Sequence, residues 1–123
     1  MYQGTIPTSY TLECDIVSFT NGDYNASAEV IASHTSLYNR VASGTTKTTL
    51  AKHNSNYSNV DDYTDYTVHN APFHLKVVVN GGNATYYIDN TQIGSKTSGN
   101  NDIGIKSYRN RGIVIKNLKI KAL

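Results

Sequence analysis

Tyrosine, asparagine, aspartate and arginine crowd into three short stretches of this chain. They are LYNRV (Tyr38, Asn39, Arg40), NSNYSNVDDYTDY (Asn54, Tyr57, Asp61, Asp62, Tyr63, Tyr66) and SYRNR (Tyr108, Arg109, Arg111). A tyrosine pairs a stiff apolar ring with a hydroxyl at its tip, so it can stack on the apolar face of a pyranose and bond to its hydroxyls. Asparagine and aspartate are directional partners for vicinal hydroxyls, and arginine donates a fixed fork. Such a mixture suits the binding of a sugar. The expected contact residues are Tyr38, Arg40, Asn54, Tyr57, Asp61, Asp62, Tyr63, Tyr108 and Arg109.

Catalytic chemistry is harder to assemble. Glycoside hydrolysis needs two carboxylates, ~5–5.5 Å apart for retention and ~6.5–9.5 Å for inversion. The only glutamates, Glu13 and Glu29, fall on different expected strands, and DDYTD (Asp61, Asp62, Asp65) is the sole carboxylate cluster. Those three aspartates are the candidate ligands for a calcium ion, a hard cation that takes oxygen donors; no other cofactor is expected. His34, His53, His69 and His74 show no metal-binding spacing, and no G-x-S-x-G, Walker or G-x-G-x-x-G motif occurs. The expectation is a binding domain and not an enzyme.

The 123 residues suit one domain, 1–123, with residues 1–9 as a lead-in. Eleven basic against nine acidic side chains give a net charge of +2, too little to predict a nucleic-acid partner. Charge is nevertheless uneven: residues 1–75 carry −4 and residues 76–123 carry +6. The single Cys14 cannot form an internal disulfide, and in TLECDIV it shares a face with Leu12 and Ile16, which predicts a buried, inert thiol. No apolar run has the length of a membrane helix, and MYQGTIPTSY has no signal-peptide core.

These residues must be positioned by strands. No stretch of helical length repeats every 3.6 residues; short β-rich runs recur between Asn, Gly, Asp and Ser. Strands are expected near 10–17, 26–34, 37–42, 46–53, 64–68, 73–80, 84–89, 91–96, 102–108 and 112–122, with long loops at 54–63 and 98–102. Alternation puts Leu75, Val77 and Val79 on the buried side, joined after the Gly81-Gly82 turn by Ala84, Tyr86 and Ile88. In the last strand Ile113 and Ile115 have one parity, and Leu118, Ile120 and Ala122 the other. A β-bulge around Lys116-Asn117 would return all five to the core side.

FHLKVVVNGGNATYYIDNTQIG, followed by NDIGIKSYRNRGIVIKNLKIKAL, resembles the C-terminal half of concanavalin A-like (laminin-G-like) jelly-roll domains, with Asn90 where such families usually carry Gly. The resemblance implies an all-β fold, an antiparallel two-sheet β-sandwich of jelly-roll type, in which the 80–94 hairpin is scaffold and Asp89 a turn residue. With the tyrosine clusters it implies a non-catalytic, lectin-like module that takes a cell-surface or cell-wall polysaccharide where the 54–63 loop meets the strands carrying Tyr38, Arg40, Tyr108 and Arg109. Composition then suggests an extracellular or virion-associated setting, as part of a larger adhesion or phage tail or baseplate assembly with other domains or subunits, without membrane insertion. The alternative is a structural, protein-interaction sandwich without sugar binding, which would expose a contiguous apolar patch.

Overall fold

Leu75, Val77 and Val79 form a fully buried row while Lys76 and Val78 between them are half-exposed, as a strand with one face on a core requires. A computed structural model describes residues 8–22, 25–42, 45–54, 56–57, 59–99 and 102–123. Most of the expected lead-in (1–7) and parts of the two long loops (55, 58, 100 and 101) lie outside the described residues.

Ten strands follow in order: β1 (Tyr10–Thr20), β2 (Ser27–Ala32), β3 (Thr35–Ala42), β4 (Thr45–His53), β5 (Val60–Thr67), β6 (Phe73–Asn80), β7 (Asn83–Ile88), β8 (Thr91–Thr97), β9 (Ile103–Tyr108) and β10 (Gly112–Ala122). They form two five-stranded antiparallel sheets, β10-β1-β6-β7-β8 and β5-β4-β3-β2-β9. The expected 54–63 loop is shorter than its polarity suggested, because Val60 to Tyr63 already pair with β4. Backbone pairing at a sheet edge holds residues there whatever their polarity.

Between the sheets lie Tyr10, Leu12, Cys14 and Ile16 from β1, the rows from β6 and β7, and Val30, Leu37, Leu50 and Ile103 from the second sheet. Two buried tyrosines are satisfied across this core: the Tyr10 hydroxyl pairs with Ser33 Oγ at 2.7 Å and that of Tyr86 with Thr35 Oγ1 at 2.8 Å. Burial pushes the Cys14 thiol up to about 12, so it stays protonated and unreactive.

The 80–94 hairpin is architectural. Gly81 and Gly82 both have positive φ (60° and 80°), and so do Asp89 and Asn90 (49° and 67°), which gives two successive two-residue turns between paired strands. Asp89 Oδ1 accepts the His74 backbone N–H at 2.9 Å. The phase slip in β10 is a bulge. Glu13 pairs with Lys119 and Asp15 with Lys116, which leaves one extra residue on β10, where Asn117 takes φ 58°. Ile113, Ile115 and Ile120 accordingly pack on the core. Leu118 and Ala122 do not: Leu118 is 47% exposed and Ala122 is exposed. Both lie on β10, an edge strand of its sheet among the described residues.

Candidate functional site

The register of the second sheet assembles its outer side. Core residues Val30, Leu37 and Leu50 face inward, so residues of the opposite parity face out, and direct cross-strand partners share a face. One row across the sheet reads Lys106, Glu29, Tyr38, Thr49, Asp65. The next reads Tyr108, Ser27, Arg40, Lys47, Thr67, and a third reads Gly104, Ile31, Ser36, Ala51, Tyr63.

Part of this face is covered. Glu29 and His53 are each only 4% exposed. His53 Nε2 lies 2.8 Å from Ser36 Oγ and 3.2 Å from Glu29 Oε2. Glu29 Oε2, buried beside this nitrogen, has no well-formed hydrogen bond of its own. The cover is Tyr57, whose ring meets His34 edge-on (centroids 4.7 Å apart) and lies tilted on His53 (5.0 Å). Tyr57 has φ 61°, and its buried hydroxyl lacks a well-formed hydrogen bond. Burial, and after it the nearby Asp102 carboxylate, pushes that phenol far above its ordinary range. Asp102 also fastens the β2–β3 turn to β9: its Oδ1 accepts the His34 N–H (3.1 Å), and its Oδ2 lies 3.3 Å from His34 Nε2.

The other end of the face is open. Asn25, Ser27, Tyr38, Arg40, Val41 and Tyr108 line a shallow pocket of about 340 Å³. Burial, followed by the charge of Glu29, raises the Tyr38 phenol and keeps it a neutral donor. Arg40 Nη2 donates to both Asp65 oxygens (3.2 and 3.1 Å), Lys47 Nζ lies 3.6 Å from the same carboxylate, and Thr49 Oγ1 donates to it at 2.6 Å. The Thr49 hydroxyl first, and then these cations, hold Asp65 below the usual carboxylate range. The Arg40 guanidinium also stands 5.8 Å from the Tyr63 ring centroid, and that of Arg109 5.3 Å from Tyr108.

Of the residues expected from sequence, Tyr38, Arg40, Tyr63 and Tyr108 share this face, with Arg109 at its rim. The others lie elsewhere. Tyr57 packs on the histidines; Asn54 closes its own loop, its Oδ1 accepting the Asn59 N–H at 3.3 Å. Asp61 is the extra residue of a β5 bulge. Asp62 points to the opposite sheet, where Lys96 Nζ donates to it at 2.9 Å. The calcium expectation does not fit this geometry. Asp62 and Asp65 point to different sides of β5 and bind different cations, and among the described residues no three His, Cys, Asp or Glu side chains converge to hold a metal. Glu29, Ser36, Thr49, Lys47, His53 and Lys106 went unnoticed as neighbours of the site. Only strand register reveals them, and it is not written in any local stretch.

On the far side of the sandwich, His74 bridges Glu13 (Nε2–Oε1 2.9 Å) and Asp15 (Nδ1–Oδ1 3.0 Å), and Asn117 Nδ2 donates to Asp15 at 2.8 Å. Tyr87 lies on that side too, under the Lys76 ammonium (4.9 Å).

No protein-family model matches the sequence, and no curated protein matches it significantly. Solved structures do match in three dimensions. One is the carbohydrate-binding module CBM66 from Bacillus subtilis, with 16% identity and a TM-score of 0.62 over 94% of this chain and 76% of that one. Sheep galectin-11 gives 11% and 0.60 over 95% and 92% of the two chains. The marine PL7 alginate lyase AlyA1 from Zobellia galactanivorans gives 10% and 0.59 over 94% and 62%. At these identities the likeness is one of fold: the chain is a two-sheet antiparallel β-sandwich of jelly-roll type.

Proposed function

We propose that this chain is a non-catalytic glycan-binding module that takes a cell-surface or cell-wall polysaccharide on the open end of the second sheet's outer side. In this reading it is one part of a larger extracellular or virion-associated assembly, such as an adhesin or a phage tail or baseplate. One observation carries the reading: Tyr38 and Arg40 from β3 and Tyr108 from β9, on either side of β2, line a single solvent-open pocket. Two rings, a guanidinium and the amide and hydroxyl of Asn25 and Ser27 match the mixed apolar and polar surface of a sugar.

The shared fold of a carbohydrate-binding module and a galectin supports binding. An alginate lyase has the same fold, and what the site itself argues against is glycoside hydrolysis. Glu29 and Asp65 stand three strands apart, roughly 14 Å at ~4.8 Å per strand, beyond the separations of glycosidases. Glu13 is on the other sheet, and Glu29 and His53 lie beneath the surface.

The experiment is a glycan-array screen followed by titration of the best polysaccharide. Tyr108 is 50% exposed, so Tyr108→Ala removes a stacking ring without opening the core. It should weaken binding about tenfold, the effect of ~1.4 kcal/mol. Tyr87→Ala should leave affinity unchanged, and the polymer should be recovered uncut. Affinity lost with Tyr87 and kept without Tyr108 would put the site on the wrong sheet.

A further inference from the structure

The charges around the pocket narrow the class of sugar. Its lining contains a guanidinium and no carboxylate. The row behind it, Tyr108, Ser27, Arg40, Lys47 and Thr67, carries two cations and no acid. In the neighbouring row Asp65 is shared between Arg40 and Lys47, so that trio keeps one positive charge in excess. The charge of Glu29 reaches Tyr38, but Lys106 stands directly across from Glu29, so the excess of one positive charge remains when both are counted. Lys106, on β9, is exposed and makes no ion pair among the described residues.

A neutral polyol needs acceptors as well as donors, because each hydroxyl does both. Among the described residues the charged groups that reach solvent here are donors, and the acids beside them are buried or already shared. From this we infer that the polysaccharide taken by this face is anionic, with a carboxylate or phosphate on its repeating unit seated between Arg40 and Lys106 while a sugar ring stacks on Tyr108. This inference rests on the glycan-binding reading above and narrows it. With Nη2 held by Asp65 and Nε buried, Arg40 offers either anion its charge and its remaining Nη1, and Lys106 supplies a point charge at the open edge.

The test uses the whole chain, titrated with four polymers in parallel at low salt: a polyuronate, a polysaccharide of phosphorylated hexoses, a neutral β-glucan, and single-stranded DNA as a polyanion without a pyranose ring. One of the first two should bind, and the choice between them identifies the anion. Its affinity should fall about tenfold or more between roughly 0.05 and 0.5 M salt, as the Debye length shrinks from ~14 to ~4 Å. Lys106→Glu, at an exposed site without a partner to lose, should cost a further tenfold or so, since reversal replaces an attraction by a repulsion. Lys106→Gln, which sets no second carboxylate opposite Glu29, should also weaken binding while melting like the parent, which separates lost charge from lost fold. Preference for the β-glucan, unaffected by Lys106→Glu, would overturn the anionic inference and leave the glycan reading standing. Equal binding of DNA and polyuronate would show a charge patch and not a sugar site, also overturning the inference. Binding of none of the four would overturn the inference, and failure across the neutral glycan array as well would bring down the glycan-binding reading.

Discussion

His53 and Tyr57 show how single residues prepare the face. His53 compensates a glutamate that is almost wholly buried, and such a pair is costly to break from one side because it leaves a buried charge unpartnered. His53→Ala is therefore predicted to lower unfolding free energy by about 3–5 kcal/mol, while the double replacement Glu29→Leu with His53→Leu recovers most of that loss; urea melts of the three variants check it. A double variant no better than His53→Ala would mean that Glu29 is stabilised by something other than His53. Tyr57 carries the opposite signature. Its ring is used against His34 and His53, but its hydroxyl is buried without a proper hydrogen bond. Removing an unsatisfied buried hydroxyl is nearly neutral or stabilising. Tyr57→Phe should hold or raise the melting temperature, whereas Tyr57→Ala should lower it by the loss of a packed ring. A clear loss with Tyr57→Phe would show that the phenol donates to Asp102 after all.

At the scale of elements, strands meet the site through register, and register depends on turns and bulges. The β10 bulge turns on Asn117, whose left-handed backbone suits Asn or Gly and opposes a β-branched side chain. Asn117→Gly should change stability by less than about 1 kcal/mol, and Asn117→Val should cost about 1–3 kcal/mol; equal effects would mean that the backbone there is unstrained. Gly94 in β8 has a different task. A Cβ there would run into the Tyr66 hydroxyl and Leu50 of the opposite sheet, so Gly94 sets how closely the two sheets approach at that end. Much of this architecture was legible in the chain. Alternation in LKVVV and ATYYI, paired turn residues, and the parity change after Ile115 each have a local cause that short stretches encode. The site was legible only in part. Tyr38, Arg40 and Tyr108 were visible as residue types, but Glu29, Thr49 and Lys106 become their neighbours through pairings tens of residues apart. The polar run before Tyr63 read as loop because composition carries no sign of the β4 edge that pairs with it.

Over the whole molecule, the two sides of the sandwich divide their tasks. Exposed large apolar residues sit mainly on or near edge strands, with Val60 and Tyr63 on β5, Ile105 and Tyr108 on β9, and Val114 and Leu118 on β10, and not as one broad outer patch that would favour protein docking. The first sheet's outer side holds the network that ties β1 to β6 and β10. Hydrogen bonds from Asp15 first and Glu13 next raise the His74 pKa, so His74 stabilises the fold most below its unfolded value of ~6.5, and this contribution disappears as pH rises through the higher folded value. Asp15 is lowered, by Asn117 first and then by His74, so its contribution is present above ~3.8 and disappears in acid. Melting temperature should thus fall between about pH 6 and pH 9, and this slope should flatten in His74→Gln. An unchanged slope would assign the pH dependence elsewhere. The central claim, that a glycan sits on the second sheet's outer side, is tested most directly by amide chemical-shift mapping during titration with the best-binding polysaccharide fragment. The account predicts saturable shifts confined to Ser27, Tyr38, Arg40, Lys106, Tyr108 and their neighbours; shifts centred on Lys76 and Tyr87, or none with any glycan, would contradict it.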